Sequence, residues 1–158
     1  KDQYGFILYH RVMQNEADVD ITVAMVEATL ERFSDFNSCS FDKGFHSPKN
    51  QEELAAILDR VILPRKGKLS AINKAIEESE EFVRARRKHS AVESSINALE
   101  NHGLDRCRDH GVDGFKRYVA LAVVARNLQI VGHILQQKEV ERLNRLKKRE
   151  QRKLRAVA

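Results

Sequence analysis

Apolar and polar residues alternate in distinct patterns over the first 64 residues, and these patterns predict strands separated by helices. Tyr4 to Val12 is rich in aromatic and β-branched residues, which is typical of a strand. From Val23 to Phe33 apolar residues recur every three or four positions, the period of a helix packed on a sheet. The short run Ser38 to Phe41 and the short apolar run Val61 to Pro64 predict two more strands, and a helix begins between them at Ser47 and Pro48. This order predicts an α/β layer arrangement.

The second half of the chain has the pattern of helices. Residues Ala71 to His102 are helical throughout in their periodicity, and a loop follows from Leu104 to Gly114. Phe115 to Leu135 is apolar on most sides, which predicts a helix buried in the core. The remainder is helical in propensity but mostly charged. We therefore predict one domain over residues 1–137 and a basic helical tail over residues 138–158.

Composition places the chain among soluble single domains. It has 158 residues, 42% of them hydrophobic, which is enough for one core. The longest uninterrupted apolar run, Tyr118 to Ala125, is far shorter than the ~20 residues of a membrane span. Cys39 and Cys107 form no recognisable disulfide framework, and we expect a reducing cytoplasm. The chain starts with Lys1 and enters a strand pattern almost at once, so we expect it to be a piece of a longer protein.

The net charge of +5 is concentrated at the end of the chain. Residues 138–158 contain nine Lys or Arg and three Glu, whereas the rest contains 19 basic and 20 acidic residues. Two interpretations of this basic tail stay open, nucleic-acid binding and a solvated helix face.

Two carboxylates are candidates for chemistry. Asp42 comes where a predicted strand ends and a glycine turn begins, and this edge of an α/β sheet is where ligands bind. Glu93 lies beside an apolar helical stripe, four residues after His89. Taken alone, Asp42 is explained as an ordinary turn residue, and periodicity favours a surface pair of His89 and Glu93.

Motifs around both carboxylates resemble those of DDE insertion-sequence transposases. Residues 41–50 (FDKGFHSPKN) are similar to the segment around that family's second catalytic aspartate. Residues 89–100 (HSAVESSINALE), then 103–106 (GLDR) and 122–128 (AVVARNL), resemble its glutamate helix and the apolar helix after it. In a large branch of the family tyrosine, arginine and lysine flank the glutamate, where this chain has Arg86, His89 and Glu100. The resemblance is therefore to a different branch, and it covers nearly the whole chain.

The resemblance implies a partial RNase H-like fold and a two-metal site. In the family three carboxylates hold two divalent ions, Mg²⁺ or Mn²⁺, for DNA strand cleavage and strand transfer in insertion-sequence transposition. Asp42 and Glu93 are then catalytic metal ligands. Asp2, Asp18 and Asp20 do not suit the first carboxylate, which we expect upstream of Lys1. We therefore expect this chain to be inactive in cleavage by itself.

The implied partner is double-stranded DNA, comprising transposon ends and target, with a homo-oligomer forming on the DNA and no membrane involved. Bacterial cytoplasm, in association with the nucleoid, is the expected location. Basic groups near the two carboxylates are the predicted phosphate contacts. They are Lys43, Arg65, Lys66, Lys68, Arg86, Arg87, Lys88 and His89.

Two other hypotheses stay open. One is an RNase H-like nuclease or resolvase that hydrolyses DNA without transferring strands. The other is a non-catalytic basic helical module that binds nucleic acid. A separation of more than about 10 Å between the carboxylates of Asp42 and Glu93 would argue against a shared metal site.

Overall fold

The structure is a computed structural model that describes the backbone of residues 1–89 and 91–157. The description of side chains leaves out those of residues 89, 91–94, 102–103 and 153–157. Helices dominate, with one small sheet between them. The elements in chain order are α1 (Asp18–Leu30), β1 (Ser38–Ser40), a 3-10 turn (Lys43–Phe45), α2 (Pro48–Ile57), β2 (Arg60–Ile62), α3 (Ala71–Glu78), α4 (Glu80–His89), α5 (Ala91–Leu99), a π-helical turn (Glu100–Leu104) and α6 (Gly111–Val157).

The sheet is a parallel pair in which α2 connects β1 to β2. Ser38 pairs with Arg60, and Ser40 pairs with Ile62. The backbone N–H of Phe41 continues the ladder, since it donates to the Ile62 carbonyl at 2.8 Å. The strands predicted at residues 38–41 and 61–64 are thereby confirmed, at residues 38–40 and 60–62, as is the α/β character of this part of the chain.

The core lies under this β-α-β unit. Val26 of α1, Leu54 and Leu58 at the end of α2, and Leu63 after β2 form one buried cluster. Leu54 is fully buried because α1 packs on α2 at this level. Ile57, which the periodicity also places on the buried face of α2, is instead 38% exposed. Burying Leu side chains contributes about 1.5–3 kcal/mol each, so this small cluster is the main stabilising feature of the unit.

The start of α2 follows its sequence signals closely. The Ser47 side chain accepts a hydrogen bond from the Asn50 N–H at 3.0 Å, and Pro48 occupies the first helical position. These two residues supply an acceptor for a free N–H group and a backbone angle already suited to a helix. The predicted helix start is confirmed.

The predicted helix from Ala71 to His102 is divided, and Ser79 makes the first break. Its extended backbone, with ψ of 142°, ends α3. Its hydroxyl donates to the Ile76 carbonyl at 2.7 Å and accepts from the Phe82 N–H at 3.3 Å. Glu80 and Glu81 then fill the first turn of α4, where carboxylates interact favourably with the helix dipole. A serine followed by two glutamates was the available sequence signal for this helix start.

The segment Tyr4 to Val12 is not a strand, so that prediction is wrong. The N–H groups of Tyr4 and Phe6 donate to the Asp2 carboxylate, and the next residue is bound by a side chain of α6. The Ile7 N–H donates to Asn127 Oδ1 at 2.9 Å, and Asn127 Nδ2 donates to the Ile7 carbonyl at 3.0 Å. The Asn127 amide thus offers the same donor and acceptor as a neighbouring strand residue, but at a single position. A segment with strand propensity forms a β ladder only when a second strand pairs with it. Here α6 is the neighbour, and it supplies one pair of hydrogen bonds.

Helix α6 is not the buried core helix that its apolar sequence predicts. Val123 is buried on the side that faces the segment with Ile7. A second apolar stripe lies on another side, and its residues recur every three or four positions. These residues are exposed, from 41% to 67%: Leu121, Val124, Leu128, Val131 and Leu135. The periodicity identifies both apolar faces correctly but does not reveal that one of them lacks a covering element in the described structure.

Helix α6 also meets the length and composition criteria for a membrane-crossing helix over Gly111–Arg152. This is weak evidence, because core helices of soluble proteins meet the same criteria. Counting uninterrupted apolar runs misses this segment, since Arg126 and Asn127 lie inside it. A charged arginine near the middle of a span costs about 2.5–3.5 kcal/mol on the insertion scale, which disfavours a membrane location for α6.

Candidate functional site

Asp42 lies at the carboxyl edge of the parallel sheet, as the strand and turn pattern predicts. It follows Phe41, the last residue in the β ladder, and it caps the 3-10 turn Lys43–Phe45. Its Oδ1 accepts a hydrogen bond from the Lys43 N–H at 3.2 Å. The side chain is exposed. The Asp42 carboxylate is therefore accessible to solvent, while its backbone is held by the sheet on one side and by the 3-10 turn on the other.

A second turn lies against the one that Asp42 begins. We call residues 42–46 the Asp42 turn and residues 65–68 the basic turn. Lys66 Nζ donates to the Gly44 carbonyl at 2.7 Å, and the Lys66 N–H donates to His46 Nδ1 at 3.2 Å. The Arg65 N–H donates to Glu77 Oε1 of α3 at 2.9 Å. The structure thus brings the predicted cations Lys43, Arg65, Lys66 and Lys68 to the same edge of the sheet as Asp42.

The imidazole of His46 takes its electrostatic character from this arrangement. Burial lowers the pKa of His46, and the positive charges of Arg65 and Lys66 lower it further, while Glu77 acts in the opposite direction. The neutral form is thereby favoured. A neutral ring is also what the hydrogen bond requires, since Nδ1 accepts from Lys66.

Asn50 fastens the Asp42 turn to the helices beneath it. Its side chain is buried, at 5% exposure, and Nδ2 donates to the Val19 carbonyl of α1 at 2.8 Å and to the Phe45 carbonyl at 3.0 Å. One amide therefore joins α1, the 3-10 turn and α2. The rings of Phe41 and Phe45, with centroids 5.8 Å apart, contact each other and join the end of the ladder to the 3-10 turn. The backbone around Asp42 is held in place by these contacts.

The start of α1 also touches the Asp42 turn. A methyl group built on Gly44 would lie 3.1 Å from Asp18 Oδ2, so glycine allows this close approach. The cap position of α1 is Ala17, which makes no side-chain cap bond. Asp18 and Asp20 are therefore not cap residues. Both lie in the first turn of α1, where their charge interacts favourably with the helix dipole.

The second predicted cationic cluster lies on α4. Arg86, Arg87 and Lys88 are exposed near the end of this helix. Helix α4 contacts both strands, and an ion pair of 2.8 Å between Arg60 and Glu81 fastens it to β2. The cluster is thus on an element adjoining the sheet.

The other predicted ligand, Glu93, is in α5, but its side chain lies outside the described residues, as does that of His89. The predicted approach of Asp42 and Glu93 therefore stays a prediction. Among the side chains that the structure does describe, no three His, Cys, Asp or Glu are grouped as metal ligands. Cys39 of β1 is partly buried against the core, and burial raises the pKa of its thiol to about 11, so the thiol is protonated at neutral pH.

A comparison with protein families decides the class of the chain. The family model described as a transposase DDE domain matches residues 2–128, which is most of the sequence. The chain belongs to this transposase family. No curated protein and no solved structure matches it.

Within this transposase domain, the matched region contains the whole β-α-β unit, the Asp42 turn, the basic turn and α5. It ends at residue 128, just after Asn127, whose amide holds the segment containing Ile7. The family resemblance inferred from the motifs is therefore confirmed.

Two residues that organise this part of the transposase domain were missed by the sequence analysis. Asn50 lies one helical turn before Leu54 on the buried stripe of α2, and a polar residue at such a position was the available signal. His46 lies inside the quoted motif, but its partner Lys66 is 20 residues away, so no local pattern predicts their contact.

Replacing Asn50 with alanine should lower the free energy of unfolding of the transposase domain by about 2 kcal/mol. The change removes two hydrogen bonds and leaves the carbonyls of Val19 and the half-buried Phe45 without that donor. Urea denaturation followed by circular dichroism measures the effect. Asn144→Ala, on an exposed part of α6, is the matched control and should change stability by less than about 0.5 kcal/mol. Equal stability of the two variants would contradict the fastening role of Asn50.

Proposed function

We propose that the chain forms part of the catalytic domain of a DDE transposase, which cleaves DNA strands and transfers them during insertion-sequence transposition. The observation on which this proposal rests is the position of Asp42, an exposed carboxylate at the sheet edge with the basic turn hydrogen-bonded beside it. A partial RNase H-like fold is part of the proposal, and the parallel β-α-β unit supports it. Metal-dependent phosphodiester chemistry needs anionic and cationic side chains close together, because carboxylates hold the metal ions and basic side chains bind the DNA phosphates.

Asp42 and Glu93 are the proposed metal ligands. The Asp42 carboxylate suits a hard cation such as Mg²⁺ or Mn²⁺, since it is exposed and its described hydrogen bond, 3.2 Å long, uses one of its oxygens. When bound, a pair of such ions stabilises the entering and leaving oxygens of an in-line displacement. The nucleophile is water in cleavage and a DNA 3′-hydroxyl in strand transfer.

The basic turn and Lys43 have the proposed role of binding phosphates beside Asp42. Lys43 and Lys68 are exposed, so both ammonium groups are accessible to the DNA backbone. Lys66 supports the turn by donating to Gly44, and Arg65 is anchored through its backbone to Glu77. Arg86, Arg87, Lys88 and His89 form the proposed second group of phosphate contacts.

Removing Lys43 and Lys68 together, as the double alanine variant, should weaken binding of this chain to duplex DNA of any sequence. Each phosphate contact makes log K fall more steeply with log salt concentration, by about 0.9 per contact, so the magnitude of the slope should decrease by about 1.8. Fluorescence anisotropy at several salt concentrations measures it. The control is the double variant Lys49→Ala with Lys74→Ala, which removes the same charge from two lysines paired with glutamates. An unchanged slope in the first variant would contradict phosphate binding at this edge.

The type of reaction is tested with labelled duplexes that end in the element's own termini. The complete transposase, supplied with Mg²⁺ or Mn²⁺, should join these ends to a second duplex. Hydrolysis without joined products would favour the nuclease or resolvase hypothesis instead. DNA binding without either product would favour the non-catalytic module.

Further parts of the proposal concern organisation and location. We place the catalytic part at residues 1–137 and a basic helical tail at 138–158, which adds contacts with DNA. A homo-oligomer assembles on the DNA, and the protein acts in the bacterial cytoplasm at the nucleoid.

A further inference from the structure

Two turns distant in sequence are joined at the candidate site by a single residue, Lys66. Its ammonium group donates to the Gly44 carbonyl at 2.7 Å, and its backbone N–H donates to His46 Nδ1 at 3.2 Å. The first contact depends on a flexible side chain with four rotatable bonds. The second joins backbone to a ring that follows the 3-10 turn directly, so it fixes where the backbone of the basic turn runs.

The acceptor in this bond constrains the protonation of the ring. A histidine nitrogen accepts a hydrogen bond when it carries no proton, so the proton of the neutral ring is on Nε2. A protonated imidazolium has N–H groups at both nitrogens, and Nδ1 then faces the Lys66 N–H as a second donor. The bond is therefore available to the neutral ring alone.

We propose that His46 is a positioning residue for phosphate binding, because its neutral ring holds the basic turn against the Asp42 turn and protonation of the ring releases it. This inference rests on the proposed function of the basic turn. His46 itself contacts neither DNA nor the reacting atoms in this scheme. His46 acts through Lys66, because the backbone of Lys66 continues to Arg65 and Lys68, the other cations of the basic turn.

The charges around the ring agree with this role. Arg65 and Lys66 of the basic turn disfavour protonation, and Glu77 of α3 favours it. From α1, the Asp18 carboxylate approaches Gly44 on the neighbouring side of the turn. Because the pKa of His46 is lowered, the neutral ring stabilises the fold fully above the unfolded value of 6.5. That contribution is lost as pH falls from 6.5 through the folded pKa.

The test compares one substitution that keeps a hydrogen-bond acceptor at position 46 with one that removes it. His46→Asn keeps an acceptor, since Oδ1 takes the place of Nδ1, and it has no proton to gain between pH 5 and 8. His46→Ala removes the acceptor. At pH 8, His46→Ala should bind a duplex of unrelated sequence roughly 2- to 12-fold more weakly than wild type, and His46→Asn should bind within about twofold of it. His133→Ala, on exposed α6, is the control for loss of a histidine and should bind as wild type does.

The pH dependence of DNA affinity distinguishes a positioning role of His46 from a direct effect of its charge. Protonation adds a positive charge, which by itself would strengthen DNA binding as pH falls. Release of the basic turn predicts the opposite, so the affinity of wild type relative to His46→Asn should fall between pH 7.5 and pH 5. A rise in this ratio would overturn the proposal.

A measurement without DNA distinguishes this inference from the proposed function. Amide hydrogen exchange at Lys66 should be slow in wild type and His46→Asn, and faster in His46→Ala, with thermal unfolding confirming that each variant is folded. Unchanged Lys66 protection in His46→Ala would overturn the positioning role even if DNA binding is normal. If wild type shows the expected protection but binds no DNA, the proposed function fails, and the phosphate-positioning role fails with it. If His46→Ala does not fold, the wild-type pH profile against His46→Asn still decides the matter.

Discussion

Replacing Asp42 with asparagine is expected to reduce metal-dependent DNA cleavage by the complete transposase about 100-fold or more. Asparagine keeps the size of the side chain and one oxygen, so the hydrogen bond from the Lys43 N–H can still form. It loses the negative charge that holds a divalent cation. A metal ion contributes several kcal/mol of charge stabilisation to phosphodiester displacement, and each 1.36 kcal/mol corresponds to a tenfold change in rate.

The measurement is the initial rate of strand cleavage on an end-labelled duplex, with Mg²⁺ and then Mn²⁺. Glu93→Gln should have a comparable effect if both carboxylates hold metal. Asp59→Asn provides the matched control, because Asp59 is also an exposed aspartate next to the sheet, just before β2. Binding of the duplex by Asp42→Asn should be retained, which separates lost chemistry from lost folding. Cleavage at the wild-type rate by this variant would remove Asp42 from the proposed active centre.

The part of the fold predicted correctly from sequence is the part determined by local signals. Ser47 and Pro48 define the start of α2 through one hydrogen bond and one restricted backbone angle, and both act within three residues. The strands on either side are short apolar runs ended by polar turns. The order of strand, helix and strand predicts the α/β arrangement, and α2 supplies the crossover that the observed parallel pairing requires. The position of Asp42 at the sheet edge was predicted for the same reason, since it is the first residue after the ladder.

The failed predictions concern segments whose structure depends on distant partners. The segment from Tyr4 to Val12 has the composition of a strand, yet it pairs with the Asn127 side chain, 120 residues away from Ile7. The apolar residues of α6 have a helical period on two faces, and the sequence gives no indication which face is covered. Leu128, 64% exposed, has the same hydrophobicity as a core leucine. Periodicity describes which residues share a face, whereas burial depends on what packs there.

The candidate site also combines features predicted by local sequence signals with features that depend on distant residues. Its carboxylate follows from a strand and a turn, but the bonds that support it join residues far apart in sequence. Asn50 reaches Val19, 31 positions earlier, and His46 reaches Lys66, 20 positions later. Such contacts need the tertiary structure. They also hold the basic turn, whose cations the sequence predicts as phosphate contacts, beside the Asp42 turn.

Replacing Leu54 with alanine is expected to lower the free energy of unfolding by about 2–5 kcal/mol. Leu54 is 0% exposed and packs in the cluster with Val26, Leu58 and Leu63, so the substitution leaves a cavity among residues of α1, α2 and the segment after β2. Domains of this size are commonly stable by about 5–15 kcal/mol, so much of the stability is at stake. Urea denaturation followed by circular dichroism measures the loss.

The matched control is Leu121→Ala, the same chemical change at a residue that is 67% exposed on α6, and it should cost less than about 0.5 kcal/mol. The comparison also tests how the core supports the site. Leu54 lies one turn after Asn50 on the same face of α2, so loosening this helix should move the Asp42 turn that Asn50 fastens. At a urea concentration where Leu54→Ala is still folded, its Lys66 amide should exchange faster than in Leu121→Ala. Equal exchange and equal stability would mean that the site is supported by contacts other than the α2 core.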